Sequence, residues 1–329
     1  MNYKINFEHF RKKRILITGG LGFIGVNLYL YLKKYDIEPY IIDFYKKIEN
    51  VDPNFIPFNL NDVNYTNVNL VNRKDVLEII SEINPHYIIH LASMTNLDKD
   101  IDAALLATDI NIKGTLHLLD AIKRTVVEGF VFLSTSDVYG GTNPPFKESH
   151  CILPASPYSV TKASAEYFCL LFHKIENLPI SILRSFNLFG PYQKTNRFIP
   201  YILTKLLKGE EVDLTLGEQK REFNYIDNLI EAILLSLTNQ ISFGRIINIG
   251  SGVSVSIKEL STKIAETFGL VSKLKFGVLP YRPNEIFDMF TDNTLAKEIL
   301  NWHPKIDFDS GLKKTIDWYI ANYNKNDIK

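Results

Sequence analysis

Arg14-Ile15-Leu16-Ile17-Thr18 runs straight into Gly19-Gly20-Leu21-Gly22-Phe23-Ile24-Gly25, and an apolar stretch follows at once. The β-branched run predicts a strand, and the apolar spacing after it predicts a helix over about 22–34. Glycine at 19, 22 and 25 suits a tight turn, a close approach of backbone to a pyrophosphate, and close packing of helix on strand. The helix start then offers unpaired N–H groups and a partial positive charge to phosphates. Glycine patterns also occur at ordinary helix caps, so the context decides. Here a strand precedes, a helix follows, and the next strand, 39–43 (PYIID), ends in the acidic Asp43.

That arrangement predicts a dinucleotide site in which Gly19, Gly22, Phe23, Ile24 and Gly25 form the phosphate turn. Asp43 is placed to hydrogen-bond the adenosine ribose diol. A carboxylate there repels a 2′-phosphate and favours NAD over NADP, a preference that the following Lys46 and Lys47 soften. Leu91 and Ala92, at the end of a later strand, complete the cofactor side.

Outward from the turn, strands at 14–18, 39–43, 68–71, 87–92, 129–135 and 180–184 alternate with helical stretches at about 22–34, 73–83, 101–124 and 157–176. Alternation of this kind signals βαβ units, and nearly unbroken apolar strands signal a parallel sheet covered on both faces. Residues 44–67, rich in Asn, Asp and Pro, read as a surface excursion between the second and third strands. After Arg184 the rhythm weakens: 186–223 reads as loops around one helix. A helix at 229–237 and a strand at 245–249 then return, and further helices lie near 257–268, 294–300 and 310–322. The expected fold is α/β, a Rossmann-type doubly wound parallel sheet with a smaller C-terminal lobe. An NAD-binding domain of 1–185 plus about 224–255 would leave about 186–223 plus 256–329 as the substrate lobe, with a ligand cleft between them.

Composition sets the limits. The 329 residues carry 37 basic and 37 acidic side chains, so no bulk field draws the protein to nucleic acid or anionic membrane. The start of the chain lacks the apolar core of a signal peptide, and no apolar run approaches the roughly 18 residues needed to span a bilayer. The basic cluster Arg11–Arg14 reads as a solvated lead-in to the first strand. Cys151 and Cys169 match no metal spacing, and a reducing, cytoplasmic setting is expected. No histidine pairing suggests a metal, and His90 reads as a packed residue at a strand end. An anionic ligand must therefore be held by locally placed cations and backbone N–H groups.

Ser156-Pro157-Tyr158-Ser159-Val160-Thr161-Lys162 carries the clearest chemistry. Ser156 suits an N-cap and Pro157 the first helical position, which puts Tyr158 and Lys162 on one face of the first two turns. A phenol titrates near ~10, so a base working near neutral pH must come down by roughly 3 pH units, about 4 kcal/mol. The Lys162 ammonium, the helix N-terminus and a positive nicotinamide all favour the phenolate. Such a pair also arises by chance in helices. A second piece strengthens it: the strand at 129–135 ends in Ser134-Thr135-Ser136-Asp137-Val138-Tyr139-Gly140, placing hydroxyls and a carboxylate where open α/β sheets bind ligands.

The glycine turn, STSDVYG, YSVTK and RSFNLFGPY (184–192) together resemble the extended short-chain dehydrogenase/reductases, and more narrowly their NAD-dependent nucleotide-sugar epimerases and dehydratases, in order from about 14 to 320. The resemblance implies that Tyr158 takes a sugar hydroxyl proton and that Lys162 binds the nicotinamide ribose. It places Thr135 on the reacting oxygen, Asn187 near the substrate diphosphate, and Arg221 and Arg282 on its phosphates. Two separated arginines can clamp a diphosphate, though either residue could equally serve a surface ion pair. Dehydratases of this family carry Asp-Glu or Ser-Glu after the threonine, whereas Ser136-Asp137 stands here, with a carboxylate one methylene shorter. Asn69 stands where many relatives have an adenine-contacting aspartate.

The resemblance also implies a homodimer. Leu105, Leu106, Leu116 and Leu119, with Phe168, Leu171 and Phe172, would pair across a two-fold axis, although burial within a monomer explains the same pattern. The implied reaction oxidises a sugar hydroxyl, at C4, to a ketone, as a lyase or isomerase with internal redox. Asp137 tips the reading to a 4,6-dehydratase, with 4-epimerase next. A decarboxylase, a 4-ketoreductase and a non-catalytic NAD-sensing protein remain as further alternatives.

Overall fold

The computed structural model describes residues 5–45, 55–95, 100–141, 143–282 and 285–323. Its centre is a seven-stranded sheet. β1 (Ile15–Thr18) lies between β2 (Tyr40–Asp43) and β4 (Tyr87–His90). Beyond β2 lies β3 (Tyr65–Asn67); beyond β4 lie β5 (Gly129–Thr135), β6 (Ile180–Ser185) and β11 (Ile246–Ile249). Every pairing in this sheet is parallel. The order reverses at β1 and β4, the switch point at which open α/β sheets bind ligands.

The strands are apolar on both faces because both faces are covered. Ile15, Ile17, Ile89, Val131 and Leu183 pack with Leu28 and Leu32 of α2 (Phe23–Lys33) and with α8 (Ile226–Thr238). Their neighbours Leu16, Ile88, Phe130, Phe132 and Ile182 turn the other way, towards α3 (Arg73–Ile83), α5 (Gly114–Ile122) and α6 (Pro157–Glu176). The period of two along each strand thus feeds two cores.

The expected third strand at 68–71 is displaced to Tyr65–Asn67, inside the stretch read as an excursion. Val68 and Leu70 gave the apolar signal because they are buried in the second core; Val68 also donates its N–H to the Asp43 carbonyl at 2.8 Å, just past the β2–β3 pairing. Nor is the rest of that stretch purely surface: Ile56 is buried and the Phe58 ring lies 4.5 Å from that of Tyr29. Lys46 and Lys47 fall outside the described residues. The single helix expected at 101–124 is α4 (Ile101–Ala107), a π-helical segment (Thr108–Lys113) and α5.

Beyond the sheet, α7 (Phe198–Leu207) and α9 (Ile257–Thr267) stand near three small two-stranded sheets. β7 (Leu188–Phe189) pairs with β10 (Asn224–Tyr225), β8 (Val212–Leu214) with β13 (Leu274–Phe276), and β9 (Lys220–Glu222) with β12 (Ser254–Ser256). The region 186–223, expected as loops around one helix, thus also holds three short strands. α10 (Thr294–Leu300) packs against β11 and α8, and α11 (Phe308–Tyr323) against α7. Among the described residues no helix is long and apolar enough to cross a membrane.

Candidate active site

The glycine turn sits at the carboxyl end of β1. Gly19 has φ +69°, and a Cβ placed on it would lie 2.5 Å from the Ala92 nitrogen. Only glycine meets both demands. Gly22 is the N-cap of α2, and a Cβ on Gly25 would lie 2.5 Å from the Gly20 Cα. Leu91 and Ala92 abut the turn through their backbone: Leu91 N–H donates to the Thr18 carbonyl at 3.1 Å and Ala92 N–H to Thr18 Oγ1 at 3.2 Å. Asp43 closes it from β2, accepting from the Leu21 N–H at 2.9 Å and the Phe44 N–H at 2.8 Å. Burial pushes its carboxyl above the usual range, opposed by those N–H groups and by Lys194. The carboxyl therefore braces the turn from within. Asn69 uses its side-chain oxygen locally, accepting from the Val71 N–H at 3.0 Å.

The second half is α6. Ser156 caps it in a capping box with Ser159, and Pro157 holds its first turn. Lys162 is buried, with Nζ 4.0 Å from the centre of the Phe132 ring. Burial brings its ammonium down to about 8. Tyr158 lies at the turn after β5, where Thr135, Asp137 and Arg197 all act on its phenol. Burial and Asp137 hold that phenol above its ordinary value, while Thr135 and Arg197 oppose them. This departs from the expectation that Lys162 and the helix start lower it, because loss of solvent is the largest influence on the phenol. Asp137 is held above the ordinary carboxylate range by its own burial, with Arg197 and Arg221 acting against that rise. Thr135 Oγ1 accepts from the Asp137 N–H at 3.2 Å, fixing the turn, and Ser136 is buried beneath it.

The lobe residues reach the same cleft unevenly. Arg221, on β9, donates to the Ile286 carbonyl at 2.5 Å and forms an ion pair with Glu285. It also feels the charge of Arg282, which is exposed. Arg221 is thus engaged in a largely buried ion pair, and its charge still acts on Asp137. Asn187 lies between β6 and β7, its carbonyl accepting from the Asn224 N–H at 2.8 Å. His90 is fully packed, bonded to Thr18 Oγ1 at 2.6 Å and Thr115 Oγ1 at 3.0 Å, and burial lowers its pKa to about 3. That explains the histidine without a metal.

The GDP-mannose 4,6 dehydratase family matches residues 16–315. The chain belongs to that family. It is 32% identical, over 94% of its length and 98% of the relative's, to UDP-N-acetyl-alpha-D-glucosaminuronate decarboxylase of Bacillus cytotoxicus. Two solved structures share its fold. UDP-glucose 4-epimerase of Thermotoga maritima, solved with UDP-glucose, has a TM-score of 0.85 at 27% identity, covering 94% of this chain and 99% of that one. dTDP-glucose 4,6-dehydratase of Streptomyces venezuelae, solved with NAD, has a TM-score of 0.83 at 26% identity, covering 96% and 100%. Dehydratases, epimerases and decarboxylases of nucleotide sugars thus surround it, and the protein is an enzyme of this nucleotide-sugar family.

Three residues of the family member's cleft escaped the sequence reading. Asn111, on the π-helical segment, accepts from the Met94 N–H at 2.8 Å and donates to Thr161 Oγ1 at 2.9 Å, tying the β4 end to the helix of Tyr158. A carboxamide between Ile110 and Ile112 was its only signal. Arg197 caps α7, reaches Thr95 Oγ1 at 3.4 Å and acts on both Asp137 and Tyr158. Lys194 lies close enough to Asp43 to lower its pKa. Neither cation has a sequence signal, because both reach the site through the loop after β7.

Proposed function

We propose that the protein is an NAD-dependent nucleotide-sugar 4,6-dehydratase that oxidises the C4 hydroxyl of its substrate. The observation that carries this reading is Asp137, a carboxyl held above its ordinary range by burial and coupled electrostatically to Tyr158 in one cleft. Epimerisation at C4 needs no such group, whereas elimination across C5–C6 does.

The glycine turn fits a dinucleotide: a Cβ at Gly19 or Gly25 would close the backbone cradle, and the start of α2 faces outward from it. NAD is held by Gly19, Gly22, Phe23, Ile24 and Gly25, with Asp43, Leu91 and Ala92 beside them. When bound, it supplies a hydride acceptor and a positive ring. Tyr158, ionised with the help of that charge, takes the C4 hydroxyl proton. Thr135 and Ser136 hold the reacting oxygen. Lys162 grips the nicotinamide ribose and keeps its ammonium beside the phenolate. Asp137, a stronger base for its raised pKa, takes the C5 proton and delivers it to the C6 hydroxyl, which leaves as water. The hydride would then return to C6 of the resulting 4-keto-5,6-alkene while C5 regains a proton, so the redox is internal and the cofactor is not consumed. Asn187, Arg221 and Arg282 hold the diphosphate by charge-assisted hydrogen bonds. In this reading 1–185 plus about 224–255 bind NAD, and about 186–223 plus 256–329 bind the nucleotide sugar.

A 4-epimerase is the second reading, favoured by the shorter reach of aspartate at 137. Purified protein incubated with NAD and a panel of UDP-, dTDP-, GDP- and CDP-sugars separates the outcomes by product mass. Loss of water supports dehydration. Unchanged mass with an inverted C4 supports epimerisation, and loss of carbon dioxide a decarboxylase; reduction of an added 4-keto sugar marks a ketoreductase, and no turnover a sensor. Asp137→Asn should abolish water loss; turnover unchanged in that variant would refute the dehydratase assignment.

We further propose a cytoplasmic homodimer. Leu119 is buried, but Leu105, Leu106 and Leu171 stand more than 45% exposed on neighbouring α4 and α6, with Tyr167 and Ile175 beside them. Contiguous apolar exposure of this kind calls for a partner surface. Sedimentation equilibrium should give twice 37.8 kDa, and a monomer at micromolar concentration would contradict it.

A further inference from the structure

Behind Lys162, in the layer between α6 and the sheet, lies a charge pair that the proposed reaction does not use. Glu166 and Arg184 are both nearly solvent-free, with side-chain exposures of 1% and 4%. Arg184 Nε donates to Glu166 Oε1 at 3.0 Å and Nη2 to Oε2 at 2.7 Å, a two-pronged bond. Its Nη1 is buried without a partner among the described residues. Burying two full charges is expensive, and an apolar pair of similar volume would serve stability at least as well. Stability alone does not account for the pair.

The two side chains lie at a junction. Glu166 is one helical turn after Lys162 on α6, and the two interact electrostatically. On its far side, Arg184 stacks its guanidinium 4.8 Å from the centre of the Tyr139 ring. Tyr139 ends the short helical turn Ser136–Tyr139 that follows Thr135 and carries Asp137. Its hydroxyl donates to Asn248 Oδ1 on β11 at 2.7 Å. A continuous chain of contacts thus runs from the helix bearing Tyr158 and Lys162 to the turn bearing Thr135 and Asp137.

We propose that Glu166 and Arg184 are a positioning pair, locking those two elements in register and keeping one fixed anion behind Lys162. The proposal rests on the roles given above to Tyr158 and Lys162. The surroundings of Lys162 leave Glu166 that part. From β4, His90 faces it but is neutral, with a pKa of about 3. From α6, Cys169 faces it as a thiol, raised by burial, and Tyr158 stands one turn before it. From β5 comes the uncharged Phe132 ring, while Asp137, on the following turn, acts on Tyr158. From β6 comes Arg184, already paired to Glu166. Among the described residues, Glu166 is the carboxylate that sustains the ammonium.

The test uses full-length protein with 15Nζ-labelled lysine, Lys162 being assigned by comparison with Lys162→Met, alongside steady-state kinetics with NAD and a sugar found by the panel. Glu166→Gln should lower the Lys162 titration midpoint by about 1 pH unit and shift the alkaline limb of kcat equally. It should cut kcat roughly 10-fold with KM within about twofold, as expected when a transition-state interaction is lost. Glu166→Asp, which keeps the charge, should leave the midpoint near that of the parent. Glu166→Leu/Arg184→Met guards against misfolding: it should melt near the parent temperature yet keep the lowered kcat and midpoint. Parent-like kcat and midpoint in that double variant would overturn the proposal, showing the pair to be structural only. The NMR midpoint needs no turnover, so it judges the pair even if the dehydratase reading fails; that reading falls separately if Tyr158→Phe remains active.

Discussion

In the proposed function, the glycine turn and the arginine cluster would address anionic groups by opposite means. The turn works through backbone: absent Cβ atoms, a helix start, and Asp43 tying down the Leu21 N–H, all within residues 15–43. The cluster works through side chains brought from Arg197, Arg221 and Arg282, which come together only when the lobe segments fold over the sheet. One of them, Arg221, is already engaged by Glu285 and the Ile286 carbonyl. A backbone site is rigid and intolerant of added atoms. A side-chain site can be trimmed by degrees.

Variants sharpen that contrast, and the largest effect belongs to the group between the two regions. Tyr158→Phe should lower kcat by ~10³-fold with NAD affinity unchanged, since one proton transfer is removed and no cradle atom moves. Next comes the turn. Gly19→Ala must place a methyl 2.5 Å from the Ala92 nitrogen at φ +69°, and NAD binding by calorimetry should weaken about 100-fold. A loss below about threefold would show that the backbone cradle is not the cofactor site. In the cluster, Arg221→Ala should raise the KM for the nucleotide sugar about 10-fold, the scale of one charge-assisted hydrogen bond, and leave NAD binding alone. If NAD binding fell instead, the division of labour drawn here would be wrong.

The smallest effect tests how the lobe is fastened. Glu222, next to Arg221, is fully buried and accepts from the Thr291 N–H at 2.6 Å and the Gly252 N–H at 3.2 Å. Burial raises its carboxyl to about 7. A folded pKa above the unfolded one means that the folded state holds the proton more tightly. This contribution is therefore complete below the unfolded value, 4.5, and is lost as pH rises through about 7. Parent stability should fall by about 1 kcal/mol relative to Glu222→Gln between about pH 5.5 and 6.5, measured by urea unfolding. A pH-independent difference would show that Glu222 is ionised throughout.

Legibility in the sequence followed the same divide. The strand–glycine–helix unit, the Ser156 cap and Pro157 before Tyr158, and the packed His90 are local in sequence and could be read from spacing. β3 was misplaced because Val68 and Leu70 are buried by tertiary packing, which imitates a strand's apolar run. The continuous helix at 101–124 concealed a π-helical segment and with it Asn111, since an extra residue in a turn leaves no mark on composition. Arg197 and Lys194 were invisible because only the folded loop aims them. The raised Tyr158 phenol was missed for a similar reason: spacing shows a neighbouring lysine but not the loss of water around the ring.

In the proposed reaction Tyr158 takes the proton that frees the C4 hydroxyl for oxidation. The most direct test of that step is the absorbance of protein-bound nicotinamide after rapid mixing of NAD-loaded Tyr158→Phe and Asp137→Asn variants with the accepted nucleotide sugar. Reduced nicotinamide should accumulate in Asp137→Asn, where elimination is blocked after oxidation, and not in Tyr158→Phe. Reduction in Tyr158→Phe at the rate of the unaltered protein would contradict it.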